Sequence, residues 1–423
     1  MVQNPSDAPD TPGAPSLPPR RTNPYAAVLR TPGAAKFSAA AVLARLPMSM
    51  LGIGTVLMVE SLYDSYALAG RVSATLILAQ ALVSPQVARI VDRHGQRRVM
   101  LPLIFLAALG LGGLIVTGIM RGPEPLLYLT AAVAGGASGS FGSFVRARWS
   151  YVLTDPKTLH TAYSLESALD EFVFVVGPAV VTILATTVAP PAGLVVPLVA
   201  AFVGGWWFLS QRSTEPPPVP PVEGVRTTSA MRQSGMVPLV LVFIAMGTVL
   251  GGVDVATIAF AEEQGVPGMA GIVLAIFALG SLTSGLAYGA KHWVSPLWRR
   301  FVIGVVLLAV GTSLFSFAHT LPALAAIMFV AGFAIAPTLI NGNALVQNLV
   351  RPSQLTEGLA WVGTSLGIGV SIGASLTGAR VDVGGAAAGF HVVMAGGAVS
   401  VIVTLISLRS LRKDRSTEQI RTA

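Results

Sequence analysis

From Phe37 onward the chain repeats one pattern, an apolar stretch of membrane-spanning length closed by a short polar break. The stretches cover 37–60, 68–91, 99–120, 126–147, 161–187 and 193–211, then 237–260, 269–290, 301–318, 322–346, 358–378 and 389–410. About twenty apolar residues in a helix cross the hydrocarbon core of a bilayer. Inside lipid every backbone polar group must find a partner within the segment, so such spans are helices. Composition excludes the alternative: 11% of the residues are charged and 53% hydrophobic, whereas a soluble domain devotes about a quarter to charge. The expected fold class is an all-α membrane protein with twelve transmembrane helices.

Lysine and arginine fall overwhelmingly on one side of these spans. Of the 27, only Arg71, Arg121 and Arg380 lie in the opposite loops, and Arg45 lies within the first span. The positive-inside rule then predicts that both termini are cytoplasmic. Residues 1–36, with eight prolines, read as a disordered cytoplasmic tail. A six-helix bundle over 37–211 is followed by a polar linker over 212–236, a second bundle over 237–410 and a basic tail over 411–423.

The halves echo one another. Each second span is followed by a short basic loop, Arg89 to Arg98 in the first half and Lys291 to Arg300 in the second. Parallel six-helix repeats characterise one large transporter architecture. The loop Asp92-Arg93-His94-Gly95-Gln96-Arg97-Arg98 resembles the signature G-x-x-x-D-x-x-G-R-[RK] of the major facilitator superfamily, with Ala88 at the leading glycine and Gln96 at the first basic position. The resemblance implies that Asp92, Arg93 and Arg97 brace a cytoplasmic gate. The positive-inside rule explains the arginines equally well, but not the aspartate. Gly177-Pro178 in the fifth span resembles the centre of that family's antiporter motif, although Val173 and Val181-Thr182 stand where further glycines would be. A proline there bends the helix in any case.

Charges at membrane depth are costly, about 2.5–3.5 kcal/mol each on insertion scales, and mark a functional interior by default. The fifth span carries three: Glu166, Asp170 and Glu171. Glu166, Asp170 and Gly177 share a helical stripe, and Glu171 is rotated by about 100° from it. Glu166 is expected to pair with Arg146 or Arg148 near the cytoplasm. Asp170 or Glu171 is expected to exchange protons with a coupling gradient. Arg45 is either their counter-ion in the substrate cavity or a snorkelling side chain. Asp254, Asn341, Asn343 and Trp361 complete the candidate cavity, the amides serving either substrate or helix packing. Glycine pairs four apart (Gly135/Gly139, Gly247/Gly251, Gly285/Gly289, Gly363/Gly367, Gly369/Gly373) predict close helix approach.

Other chemistry is excluded by what the sequence lacks. None of the four lysines follows a glycine, so no G-K-[ST] phosphate loop exists. There is no cysteine and no H-E-x-x-H among five histidines, so neither a metal nor another cofactor is expected. Basic tails without interleaved aromatics suit an anionic lipid surface rather than nucleic acid. The expectation is a monomeric, multi-pass cell-membrane protein that is not an enzyme. It would be a proton-coupled secondary transporter exporting a small amphipathic molecule or drug, as the resemblance to drug/proton antiporters implies. The alternative is proton-coupled uptake of a polar solute such as a sugar.

Overall fold

The computed structural model describes residues 23–218, 228–266, 269–291 and 293–412. Among them the only regular elements are helices: α1 (Pro24–Leu29), α2 (Ala34–Arg45), α3 (Pro47–Tyr63), α4 (Tyr66–His94), α5 (Gln96–Ile119), α6 (Glu124–Ala137), α7 (Phe141–Val152), α8 (Pro156–Thr187) and α9 (Ala192–Ser210). After the polar stretch come α10 (Met236–Glu263), α11 (Ala270–Ala290), α12 (Leu297–Ser313), α13 (Leu321–Gly332), α14 (Ile335–Leu349), α15 (Leu355–Ile406) and α16 (Leu408–Leu411). Single 3₁₀ turns at Arg212–Thr214 and Ala230–Arg232 flank the linker.

The boundaries follow from local chemistry. Asp155 caps α8 by accepting from the Thr158 amide at 3.0 Å, and Pro156 takes the first helical position, where no amide hydrogen is missed. Gly95 turns the chain between α4 and α5 at φ 89°, and Gly139 separates α6 from α7 at φ 66°. Both values lie in the left-handed region that favours glycine. Pro47 opens α3 one residue after α2 ends, so Ala34–Tyr63 forms one bent 30-residue stretch.

Ten helical stretches are long and apolar enough to cross a membrane, so this is a multi-pass membrane protein. The number differs from the twelve expected for two local reasons. The expected fourth span, 126–147, is divided at Gly139 into α6 and α7, of 14 and 12 residues. The expected eleventh and twelfth lie together in Pro352–Ile406, which is broken only where Gly384 and Gly385 leave helical geometry. Arg380 and Asp382, expected in a loop, are exposed residues of α15 just before that break. Of the expected tail, residues 1–22 lie outside the described residues, but Pro24–Leu29 are helical. Asn23 accepts from the Tyr25 amide at 3.0 Å, and a proline at the first position starts this turn. In the linker 219–227, and in the carboxyl tail everything from 413, also lie outside the described residues.

Three apolar clusters make the interior. One fills the second half, around Phe243, Phe301, Phe315 and Phe390. A second lies around Leu51, Met58, Leu76 and Leu114 in the first half. The third centres on Phe37, Phe144, Trp149 and Phe208 and draws in Ala336, Ile340 and Ala360 from the second half, joining the halves at one end. Most expected glycine contacts are present: a Cβ on Gly135, Gly247, Gly251, Gly369 or Gly373 would collide with a backbone carbonyl of the facing helix. Gly363 and Gly367 face open space instead, so their spacing reflects no packing.

Candidate functional site

Two carboxylates and two arginines close on one another where α2, α7 and α8 meet. Arg45, its side chain 1% exposed, reaches Glu166 through one guanidinium nitrogen and Asp170 through the other, both at 2.5 Å. Arg146 takes the second Asp170 oxygen at 2.8 Å. Glu166 is fully buried and also accepts from Ser38 Oγ and Trp149 Nε1, each at 2.7 Å. The ion count balances and the acceptors are filled, which offsets the desolvation of one buried and one half-buried carboxylate. Glu166 therefore pairs with Arg45 rather than with Arg146 or Arg148. Arg148 turns to the loop side, donating to Gln96 Oε1 and to the Gln211 carbonyl and lying 3.8 Å from the centre of the Phe208 ring.

Glu171, one residue past Asp170, stands differently. The helix rotation carries it off the arginine-facing stripe, and its Oε1 accepts from Ser281 Oγ of α11 at 2.7 Å. Among the described residues no cationic group lies within ion-pair reach of it. The bond crosses from the first half to the second. Ser281 is fully buried on an otherwise apolar stretch, and only the tertiary structure singles it out.

Further bonds between the halves lie toward the ends of α4, α7, α8, α11 and α14 that carry the basic loops. Gln347 of α14 donates to Ser150 Oγ and Tyr163 Oη, both at 2.5 Å. Thr161 Oγ1 donates to the Gly289 carbonyl at 2.7 Å, and Tyr25 Oη to the Leu286 carbonyl. At the same end Asp92 accepts from the backbone amides of Thr356 at 3.3 Å and Glu357 at 3.0 Å. Gln354, at the N-cap position of α15, gives no side-chain cap. A carboxylate of the first half thus caps a helix of the second, where free amides and the helix dipole favour negative charge. Beside it Glu357, 3% exposed, accepts from Ser229 Oγ and lies 3.9 Å from Arg89 Nε.

Arg93 is half-buried at the end of α4. Arg97 contributes its backbone amide, which Glu215 of the linker accepts at 2.8 Å, capping α5. Gly177 lies against α3: a Cβ there would collide with Ser49 Oγ, which donates to the Val173 carbonyl at 2.9 Å. Pro178 follows it inside α8. Asn341 is 1% exposed and exchanges hydrogen bonds with Tyr288 Oη at 2.9 and 3.0 Å, while Arg300 reaches the same hydroxyl at 3.3 Å. Asn343 donates within its own helix to the Leu339 carbonyl at 2.9 Å. Trp361 is half-buried against the second-half core. Asp254 is exposed on α10. It stands three residues from Gly251, which packs against Val370 of α15, and three from Thr257, which touches Met328 of α13. Ser38, Trp149, Tyr163, Tyr288 and Ser281 were not singled out by the sequence, because a hydroxyl or indole in an apolar span has no spacing that announces its partner.

The chain matches the sequence model of the Major Facilitator Superfamily over residues 37–301 and 294–422. No curated protein matches it. Among solved structures, a bacterial homologue of the iron transporter ferroportin in an outward-facing state superposes with a TM-score of 0.71 at 13% identity, covering 89% of this chain and 99% of that one. The human organic anion transporter MFSD10 (TETRAN) gives 0.68 at 15% identity over 88% and 98%. The transporter FucP in its outward conformation gives 0.68 at 12% over 91% and 98%. At these identities the likeness is one of fold.

Proposed function

This chain belongs to the Major Facilitator Superfamily, whose members are transporters, and on that premise we propose that it is a proton-coupled exporter of a small amphipathic molecule or drug. It works as a monomer in the cell membrane by alternating access. In this reading α2 with α3, α6 with α7 and α13 with α14 each cross once, and α15 crosses twice about Gly384-Gly385, which makes twelve spans. Both termini then lie in the cytoplasm, on the side of the basic loops. The bundles are 37–211 and 237–410, joined by 212–236. The bonds between the halves gather at that cytoplasmic end, so the arrangement is outward-facing, with Asp92 on the amino end of α15 as its gate lock.

One observation carries the coupling assignment: Glu171 is held by a single serine hydroxyl from the other half, while Glu166 and Asp170 are neutralised by arginines. Of the two candidate acids, Glu171 is then the coupling group. A carboxylate without a cation at membrane depth is cheapest when protonated, and opening of the seam removes its one partner while changing its solvation. Asp170 belongs to the clamp that holds α2 on α8. Export rather than uptake rests on Gly177-Pro178.

The test begins with a compound panel ranked by thermal shift of the purified protein, followed by substrate-induced proton flux in proteoliposomes. Glu171→Gln should abolish gradient-driven accumulation while leaving the thermal shift in place. Proton movement with substrate in that variant would remove Glu171 from the role. Accumulation in the direction of uptake would replace export by the import of a polar solute.

A further inference from the structure

At the amino end of α5 lies an open surface cavity of about 480 Å³, bounded by the α4–α5 turn and the first residues of the linker. Arg97, Arg98 and Arg212 line it, with Leu101 and Pro102 as its floor and Glu215 to Pro218 as its far wall. None of the three arginine side chains makes a hydrogen bond or ion pair with the described residues. Glu215 offsets one of the three charges, but one of its oxygens is already spent on the Arg97 amide. His94, also on the rim, bonds back to the Ile90 carbonyl at 3.1 Å. Guanidinium groups converging without protein partners are built to receive an anion.

A second observation says which kind. One turn along α5 from the floor, Phe105 is 43% exposed, and it meets Trp206 of α9, 48% exposed, edge to face at 5.8 Å. The helices touch at this level, Gly205 resting on Ile104. The basic cavity therefore lies one turn from an exposed aromatic pair on the surface that faces lipid. Tryptophan at this position, four residues before α9 ends, marks the depth of a membrane interface. A free anion would use the cavity and have no use for the aromatic pair. A phospholipid uses both.

The geometry points to a binding site for one anionic phospholipid, its phosphate headgroup among Arg97, Arg98 and Arg212 and an acyl chain along Phe105 and Trp206. The site rests on the reading of this chain as a membrane protein and not on its transport activity, so it can be tested without a substrate. A lipid bound there ties the turn that follows Asp92 to the linker between the halves.

The full-length protein is reconstituted in phosphatidylcholine vesicles containing increasing fractions of phosphatidylglycerol with brominated chains, and tryptophan quenching is read. Wild type should show quenching that saturates at low phosphatidylglycerol, above the small linear background that brominated phosphatidylcholine gives at the same fraction. The saturable component should vanish in Trp206→Phe. In Arg98→Gln/Arg212→Gln its midpoint should move roughly thirty-fold, about five-fold for each cation removed. Both arginines are exposed, so the double variant folds as wild type does. Equal quenching by the two lipids overturns the site, as does an unmoved midpoint in the double variant. Displacement of the lipid by millimolar inorganic phosphate would make it a site for a small soluble anion and overturn the lipid assignment.

Discussion

In each half the first membrane stretch packs on the fifth, and the two halves fasten that contact by different means. In the first half, α2 and α3 meet α8 through Arg45 clasped between Glu166 and Asp170, with Gly177 pressed on Ser49 a few turns further along. In the second half, α10 meets α15 through Gly247, Gly251, Gly369 and Gly373, each against a backbone carbonyl of the other helix. An ion cluster carries a large desolvation cost and holds only while every partner is present. A glycine seam is close-range backbone packing that involves no titratable group. The halves thus share a helix plan, while among the described residues the buried ion pairs made within one half sit in the first. A lesion in the first half therefore acts through charge, and a lesion in the second through steric contact.

The comparison breaks most severely at Arg45. Arg45→Ala strands Glu166 and half of Asp170 without a cation, at about 3–5 kcal/mol for an uncompensated buried charge. Thermal unfolding in detergent should show a large loss of stability, and an unchanged melting temperature would mean that the cluster fastens nothing. The matching lesion in the second half is Gly251→Leu, which drives a side chain into the Val370 carbonyl. Overpacking of this kind costs about 1–3 kcal/mol. Its signature should be a loss of stability that no change of charge relieves, whereas Arg45→Ala should recover part of its loss when the stranded acid is removed as well, in Arg45→Ala/Glu166→Gln. No recovery in that double variant would erase the distinction between the halves.

Smaller effects sharpen the picture where the halves meet. Asp92→Asn keeps an acceptor for the α15 amides but loses the charge–dipole attraction, about 1 kcal/mol, which shifts a two-state gate roughly five-fold toward opening. Because the chain contains no cysteine, spin labels at Lys157 and Lys291 can be introduced directly. The distribution of distances between them should gain a longer component in Asp92→Asn, and an unchanged distribution would show that the cap is no lock. Least of all should happen at Arg380, exposed on α15 and without an ion-pair partner among the described residues. Arg380→Ala should stay within about 0.5 kcal/mol of wild type in thermal unfolding, and a larger loss would reveal a contact at the outer end.

The sequence by itself determined the solvent, the helical class and the identity of the unusual residues. Each of these is written in local statistics: runs of apolar residues, the sidedness of lysine and arginine, and charges where charge is expensive. Asp92 and the acids of α8 stood out for that reason. Tertiary structure alone decided the partners. Arg45 and Glu166 are separated by 121 residues and Asp92 and Glu357 by 265, and no spacing rule links positions so distant. It also decided which of two adjacent acids is neutralised. Asp170 and Glu171 differ only by one step around the helix, and that step turns one toward two arginines and the other toward a serine across the seam.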